Sequence, residues 1–292
     1  MPAFSLDTEI PLPAQPLADY SWLQRSLFLS HLAAAAYRLP ARFRELLRPL
    51  SDDVIYYDRD GAQGYWIETE RDCIAVFRGT EPNDWNDWRA DLDSERVPAP
   101  TGGYVHHGFW RETSDLWPLL LPRLQRVNKP LWITGHSLGG AIAVITAARC
   151  QEIVAPEWIG GLYTFGAPRA GSRRFARSVA FPHVRWVHNN DIVPQLPPAW
   201  MGFAHGGRRA YLDRHGRLRQ WRGWERWLDR FHGWIAALRR LRFDGIGDHS
   251  IDRYADTIGG IVREYAPLSV VPVRLGAPRR RSVRRLPTRR AA

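Results

Sequence analysis

Lysine, cysteine and long apolar runs are scarce in this 292-residue chain. Lys129 is the only lysine, so arginine carries nearly all the positive charge behind a net charge of +11. The two cysteines, Cys73 and Cys150, are too few for a disulfide framework. Each lies in an apolar run, so we expect two buried thiols and a reducing compartment. No transmembrane helix is expected because no apolar run reaches about 18 residues, and no signal-peptide pattern opens the chain.

The composition predicts one folded domain with irregular ends. Hydrophobic residues make up 45% of the chain, which is enough for one large core. Residues 1–19 are rich in proline and lack periodicity, so we expect a leader arm there. Residues 20–265 are expected to form the domain, with an insertion at 200–246. Residues 266–292 carry eight arginines and few large apolar side chains, which predicts a disordered basic tail.

Short apolar runs alternate with helical patterns through the expected domain. Helical spacing covers residues 22–37, which Pro40 is expected to end, and residues 138–152. A hairpin is expected over 210–220. Strands are predicted at 54–57, 65–69, 73–77, 131–134, 162–165 and 184–188. This alternation predicts an α/β fold with a mainly parallel central sheet and helices on both of its faces.

A Gly-x-Ser-x-Gly pattern at 135–139 follows one of these strands and opens a helix. Such a tight turn lifts the hydroxyl of Ser137 clear of the sheet and places it at a helix N-terminus. Negative charge that develops there is favoured by the helix dipole and by the backbone N–H of Leu138. The pattern therefore indicates a nucleophilic serine. The plainer alternative is a glycine-rich helix entry with a capping serine.

A serine nucleophile requires a histidine base and a carboxylate that orients the histidine. With the chain order Ser, acid, His, the candidates are Asp191, directly after the strand at 184–188, and His249, in a polar loop before a last helical stretch. Asp248 and Asp213 are weaker candidates for the acid. Ten histidines are present, and the serious rival to His249 is His205. Seven others are disfavoured by chain order or position: His106, His107, His136, His183, His188, His215 and His232.

The loop after the strand at 73–77 is the expected source of a second oxyanion donor. Gly79 permits the turn, and Thr80 offers a backbone N–H and a hydroxyl group. We therefore expect Thr80 and Leu138 to form an oxyanion hole. The alternative is an ordinary strand-to-loop turn.

Together these segments resemble the class 3, or fungal lipase-like, family of α/β-hydrolases. The resemblance covers about residues 21–265. The motifs that carry it lie, in order, at 77–80, 105–109, 135–140, 163–169, 190–194 and 248–250, with Tyr254. The resemblance implies the α/β-hydrolase fold and hydrolysis of carboxylic esters through an acyl-enzyme, without metal or organic cofactor. It implies Ser137 as nucleophile, Asp191 as orienting acid and His249 as base, with His205 and His107 in scaffold roles.

Two features depart from the family pattern. Secreted members usually carry a signal peptide and often disulfides, and neither is expected here. Residues 81–103, where a lid would lie, interleave aspartates with tryptophans and are less apolar than a lid that opens on an oil surface. Activity on triacylglycerols is therefore not implied as firmly as ester hydrolysis.

Residues 221–242 form a tryptophan- and arginine-rich segment just before His249. One helical face carries Trp221, Trp224, Leu228, Phe231, Ile235 and Leu238, and arginines occupy the opposite side. Such a face suits a helix that lies at the surface of an anionic membrane, and it equally suits an ordinary amphipathic helix packed on the domain. With the basic tail, it predicts a cytoplasmic protein peripheral to the inner membrane surface.

Two other functions are compatible with these features. The chain could serve as a catalytically idle, membrane-associated binding module, although the intact Ser137, Asp191 and His249 argue against this. Acyl transfer is also open because it uses the same acyl-enzyme. The partners expected are a lipid or ester substrate and an anionic membrane; nucleic acid is not expected, since no nucleic-acid module accompanies the basic tail.

Overall fold

The fold was analysed in a computed structural model, which describes residues 10–79, 95–189, 191–213, 215–219 and 249–266. Several sequence-based expectations lie outside these residues and are not addressed by the fold. They concern Thr80, Asp248, the segment 221–242, most of the polar segment 81–103 and nearly all of the basic tail.

Twelve strands and six helices make up the described part of the chain. The strands are β1 Asp53–Arg59, β2 Ala62–Glu68, β3 Cys73–Phe77, β4 Arg96–Pro98, β5 Tyr104–His106, β6 Leu131–His136, β7 Ile159–Phe165, β8 Gly171–Ser172, β9 His183–His188, β10 Phe203–Ala204, β11 Arg208–Leu212 and β12 Leu218–Arg219. The helices are α1 Trp22–Ala35, α2 Pro40–Leu47, α3 His107–Leu124, α4 Leu138–Cys150, α5 Arg173–Ser178 and α6 Ile251–Tyr265.

An eight-stranded sheet in the order β1-β2-β3-β6-β7-β9-β11-β12 forms the centre of the fold. The five strands from β3 to β11 are parallel, whereas β1, β2 and β12 pair antiparallel at the two ends. Parallel neighbours end at one edge of the sheet, so the loops after β3, β6, β7 and β9 converge there. The predicted mainly parallel sheet is confirmed.

Helices cover both faces of this sheet, as expected for parallel strands joined by crossovers. On one face, α1, α2 and α6 bury a cluster that includes Leu32, Phe43 and Ile258. On the other face, α3 and α4 bury a second cluster that includes Leu116 and Ile142. The two clusters enclose the sheet between them, so the strand ends that carry the loops are held on a packed scaffold.

The six strands expected from apolar runs are present, with ends shifted by a few residues, and the expected hairpin is β11 and β12. Helix α3 was not predicted, because Pro118 and Pro122 lie within it and proline usually ends a helix. Pro40 does not end α1, which stops at Ala35; it instead begins α2 at the first helical turn, where its missing N–H costs nothing. A small antiparallel sheet in the order β10-β8-β5-β4 was also missed, since its strands have only two or three residues.

Part of the expected leader arm packs against the domain. Leu17 is 1% exposed, and its backbone N–H donates to Oδ2 of Asp72 over 3.1 Å. The Asp72 carboxylate also accepts from the indole N–H of Trp132 at 2.8 Å. The segment 10–19 is therefore a strap over the sheet rather than a free arm.

Both cysteines are buried free thiols, as the sequence predicts. Burial raises the pKa of the Cys73 thiol to about 12 and raises that of Cys150 as well. Both thiols are therefore un-ionised at neutral pH and poorly nucleophilic.

Within the described ranges, no helix is long and apolar enough to cross a membrane.

Candidate active site

Ser137 lies in a strained turn between β6 and α4. Its backbone has φ 57° and ψ −131°, a combination that non-glycine residues rarely adopt. Its N–H donates to the carbonyl of Phe165 at 3.0 Å, which holds the turn against the end of β7. A Cβ on Gly135 would overlap the backbone of Gly139, so the flanking glycine is required by close backbone packing.

Ser137, His249 and Asp191 form a continuous chain of hydrogen bonds. The Ser137 hydroxyl donates to Nε2 of His249 across 2.8 Å. Nδ1 of His249 lies 3.0 Å from both carboxylate oxygens of Asp191 and donates to them. Ser137 and Asp191 are each 1% exposed, so these interactions act largely shielded from water. The arrangement can remove the proton of the serine hydroxyl and stabilise the imidazolium that results.

Two donors besides His249 hold the carboxylate of Asp191, and a backbone hydrogen bond anchors the residue. The hydroxyl of Tyr254 in α6 donates to Oδ2 at 2.7 Å, and the backbone N–H of Val193 donates to Oδ1 at 2.9 Å. The N–H of Asp191 itself donates to the carbonyl of His188 at 3.1 Å. Together these bonds fix the orientation of the carboxylate toward His249.

Gly166, at the end of β7, leaves room for the acid and the base to meet. It has φ +57°, and a Cβ there would lie 2.7 Å from Oδ2 of Asp191 and 3.1 Å from the His249 ring. A larger residue would push between the two side chains. The end of β7 therefore contributes space for the two side chains rather than a functional group.

His136, beside the nucleophile, supports the backbone of the base. Its Nε2–H donates to the carbonyl of His249 at 2.6 Å, and its Nδ1 accepts from the Tyr37 hydroxyl at 2.8 Å. Its ring lies 4.5 Å from the ring of His249, centroid to centroid. Burial, with a smaller contribution from His249, holds the pKa of His136 well below its usual range, so it is neutral. His136 therefore positions His249 without carrying charge.

The oxyanion hole is described only in part. Leu138, 4% exposed, is the first residue of α4, where a backbone N–H has no carbonyl partner within the helix. Thr80 lies outside the described residues. The preceding Gly79 approaches the turn closely, because a Cβ on it would lie 2.7 Å from the carbonyl oxygen of His136 and 3.1 Å from Cβ of Ser137. The loop after β3 thus reaches the nucleophile, as the sequence analysis expects.

The rival residues lie in other interactions. Nε2 of His205 donates to the carbonyl of Pro194 at 2.7 Å. Asp213 accepts from Arg219 at 2.8 Å in the turn between β11 and β12. His107 lies 3.3 Å from the carboxylate of Glu95. Among the described residues, no group of three His, Cys, Asp or Glu side chains could hold a metal ion.

Three residues of the site were not assigned a role from sequence: Tyr37, His136 and Tyr254. Tyr254 stands in a motif used for the resemblance, and His136 stands inside the Gly-x-Ser-x-Gly pattern. Their roles depend on contacts across 63 to 113 residues of chain, which no local pattern encodes. One signal in the sequence could have indicated the role of His136. It lies beside the nucleophile on a strand that is buried throughout, where a polar ring requires a hydrogen-bond partner.

Comparison with known proteins supports the same assignment of the fold. Residues 74–201 match the family described as Lipase (class 3). A stretch of 159 residues is 34% identical to a lipase of Rhizomucor miehei and covers 50% of this chain and 43% of that protein. A stretch of 116 residues is 40% identical to toxin TseL of Vibrio cholerae and covers 38% of this chain and 18% of the toxin. The chain thus spans less than half the length of these relatives.

A solved structure of the Rhizomucor miehei triacylglyceride lipase has the same fold. It matches with a TM-score of 0.60 at 24% identity, over 78% of this chain and 92% of that one. The matched family segment contains Ser137 and Asp191, while His249 follows it. The serine turn, the strand order and these similarities agree: the chain has the α/β-hydrolase fold, and residues 74–201 are similar to the class 3 lipase family.

Proposed function

We propose that this protein is a serine carboxylic-ester hydrolase that cleaves lipid-like esters through an acyl-enzyme. The observation that carries the proposal is the unbroken hydrogen-bond chain from Ser137 through His249 to Asp191. The similarity to proteins named lipases supports lipid-like esters as the substrate class.

The proposed reaction follows from the positions of these groups. His249 Nε2 takes the proton of Ser137 as Oγ attacks the ester carbonyl, and Asp191 remains ionised and stabilises the imidazolium. The tetrahedral oxyanion accepts hydrogen bonds from the backbone N–H groups of Leu138 and Thr80. Collapse breaks the ester C–O bond, and His249 protonates the departing alcohol. Water, deprotonated by the same imidazole, then hydrolyses the acyl-serine and releases the acid.

Hydrolysis of p-nitrophenyl esters of graded chain length, alongside a phospholipid, tests the proposal. Ser137→Ala should lower kcat by about 10⁴-fold or more, because the nucleophile is removed while the fold is kept. Ser114→Ala, on the outer helix α3, is the matched control and should retain full activity. Equal loss in both variants, or activity in Ser137→Ala, would contradict the assignment.

Labelling with a fluorophosphonate separates an enzyme from an idle binding module. The wild-type protein should react at Ser137, and Ser137→Ala should not. A folded protein that fails to react would instead favour a module that binds lipid without cleaving it. Release of acid to water, rather than a new ester in the presence of an added alcohol, separates hydrolysis from acyl transfer.

Membrane docking forms part of the proposal and rests on sequence alone. The tryptophan-rich face of 221–242 and the arginines of 266–292 suit an anionic bilayer, which agrees with a cytoplasmic protein at the inner membrane surface. In flotation with anionic liposomes, deletion of 221–242 should reduce binding, and deletion of 266–292 shows how much the tail contributes. Unchanged binding after the first deletion would refute a docking role for that segment.

A further inference from the structure

A cavity of about 90 Å³ lies beside the central sheet, apart from the candidate active site. Its wall includes Thr164 of β7, His183 and Arg185 of β9, Phe175 of α5, and His205. Ser137, Asp191 and His249 do not line it. This volume exceeds what one water molecule needs, so the cavity has room for a small polar species.

The guanidinium group of Arg185 is the charged group of this cavity. Arg185 is 8% exposed, lies in the middle of the sheet between Thr164 and Arg209, and has no partner for its Nε–H. Among the described residues, no carboxylate pairs with it. A buried charge without a partner is strongly unfavourable, so the fold must supply compensation from elsewhere.

The surroundings of Arg185 increase this need for negative charge. No described residue that lines the cavity is acidic. Burial, followed by the nearby Arg209 and Arg169, lowers the pKa of Arg185 to about 9, which still leaves the group protonated at neutral pH. Both of the neighbouring charges are cationic, so the local potential attracts an anion.

The remaining polar groups are held in place and leave the guanidinium to face the cavity. Nε2 of His183 lies 2.9 Å from Oγ1 of Thr164, and Nε2 of His205 is bound to the carbonyl of Pro194 at 2.7 Å. Burial lowers the pKa of His183 to about 3 and that of His205 well below its usual range, so both rings are neutral. Arg185 is therefore the group that can bind an ion there by charge.

We propose that this cavity is a binding site for a compact monoanion, a halide or a short carboxylate such as acetate, held by the guanidinium of Arg185. The anion forms charge-assisted hydrogen bonds with the guanidinium group and neutralises the buried cation. Gluconate, a bulkier anion, serves as the reference anion in the test below. The ion joins β7 and β9 to the segment at 204–207, and it acts on stability rather than on the ester chemistry.

Thermal unfolding at fixed ionic strength tests the site. Sodium gluconate is replaced stepwise by sodium chloride, bromide or acetate, and the Tm of the full chain should rise saturably by about 3 °C. In Arg185→Met the Tm should no longer depend on the small anion. Arg208→Met, on the neighbouring strand, is the control and should keep the wild-type response. A response that persists in Arg185→Met overturns the proposal, as does a wild-type Tm that ignores the exchange.

A direct measurement keeps the proposal falsifiable if Arg185→Met does not fold. Crystals of the wild-type protein soaked in sodium bromide should show an anomalous scattering peak inside the cavity, within hydrogen-bond distance of the guanidinium group of Arg185. A cavity that contains only water, with no peak, overturns the assignment. Because neither readout uses ester hydrolysis, the result is independent of the proposed enzymatic function.

Discussion

Tyr254 brings a hydroxyl group to the candidate site from a helix rather than from a loop after a strand. It is fully buried, donates to Asp191 and accepts from the backbone N–H of His188 at 2.9 Å. Burial and the adjacent Asp191 carboxylate raise its pKa well above the usual value, so it remains a donor at any working pH. The residue therefore couples the position of α6 to the orientation of the acid.

Tyr254→Phe should lower kcat for a soluble ester by about 10- to 100-fold, because a hydrogen bond to a charged group contributes about 1.5–3 kcal/mol. KM should change little, since the hydroxyl does not face the substrate carbonyl. Tyr56→Phe removes an exposed hydroxyl bound to Asp58 and provides the control. Equal kcat for Tyr254→Phe and wild type would show that the bond to Asp191 has no catalytic effect.

At this scale the sequence predicts groups with local signatures and misses those without them. Ser137 is marked by its flanking glycines, while Asp191 and His249 follow from chain order and family motifs. Tyr37 has no such mark, because its contact with His136 spans 99 residues. Arg185 likewise reads as one more arginine in an arginine-rich chain, and only the fold shows that it is buried.

Helix α4 and strand β3 are packed backbone against backbone at the entrance to the site. A Cβ on Gly139 would overlap the carbonyl oxygen of Phe77 and lie 2.7 Å from the carbonyl carbon of Arg78. No flexible side chain is available there to move aside. The glycine thus sets the distance between the serine turn and the loop that leads to Thr80.

Gly139→Ala should lower the free energy of unfolding by about 1–3 kcal/mol, the usual cost of overpacking, and should lower ester hydrolysis with it. Gly260→Ala, in the middle of α6, is the matched control. Its Cβ would meet nothing closer than 4.0 Å, so that variant should be more stable by about 0.5–1 kcal/mol. Urea unfolding measures the free energy of unfolding of both variants. A Gly139→Ala protein as stable as wild type would contradict the packing argument.

The elements that the sequence predicts best are those buried on both faces. Strands β3 and β6 are fully buried and appear as continuous apolar runs. Helix α3 was not predicted from the sequence, because it contains two prolines. Its apolar residues nevertheless recur at helical spacing, and Phe109, Leu116 and Leu120 are buried. The strands of the small sheet have too few residues for any periodicity. Their pairing, such as that of Val105 with Gly171, depends on long-range contacts.

Across the whole molecule, burial keeps several histidines neutral. His136, His183 and His205 all have pKa values below the usual range, chiefly because burial penalises the charged ring. In the unfolded chain these rings take up protons below about pH 6.5. Glu112 acts in the opposite direction, since burial raises its pKa to about 7. Burial also lowers the pKa values of His31 and His188 and raises those of Asp72 and Asp252. Among the described residues, five histidines therefore oppose three carboxyl groups, which leaves more protons on the unfolded state between pH 5 and 6.5.

The free energy of unfolding should therefore fall as the pH decreases from about 6.5 to 5, because stability is lost wherever the unfolded chain binds more protons. His136→Asn should reduce the slope by about 1.4 kcal/mol per pH unit, the contribution of one proton. Chemical denaturation at several pH values measures both slopes. A slope unaffected by the substitution would mean that His136 is protonated in the folded state.

The position of His249 at the start of the last helix has a consequence for the timing of biosynthesis. Ribosomes deliver Ser137 and Asp191 first, and the sheet that carries them precedes α6 in the chain. A nascent polypeptide that has not yet released α6 from the exit tunnel holds a nucleophile and an acid without a base between them. Ester-cleaving competence would then arise only after α6 has left the ribosome and packs against α1, which brings the imidazole to the other two groups.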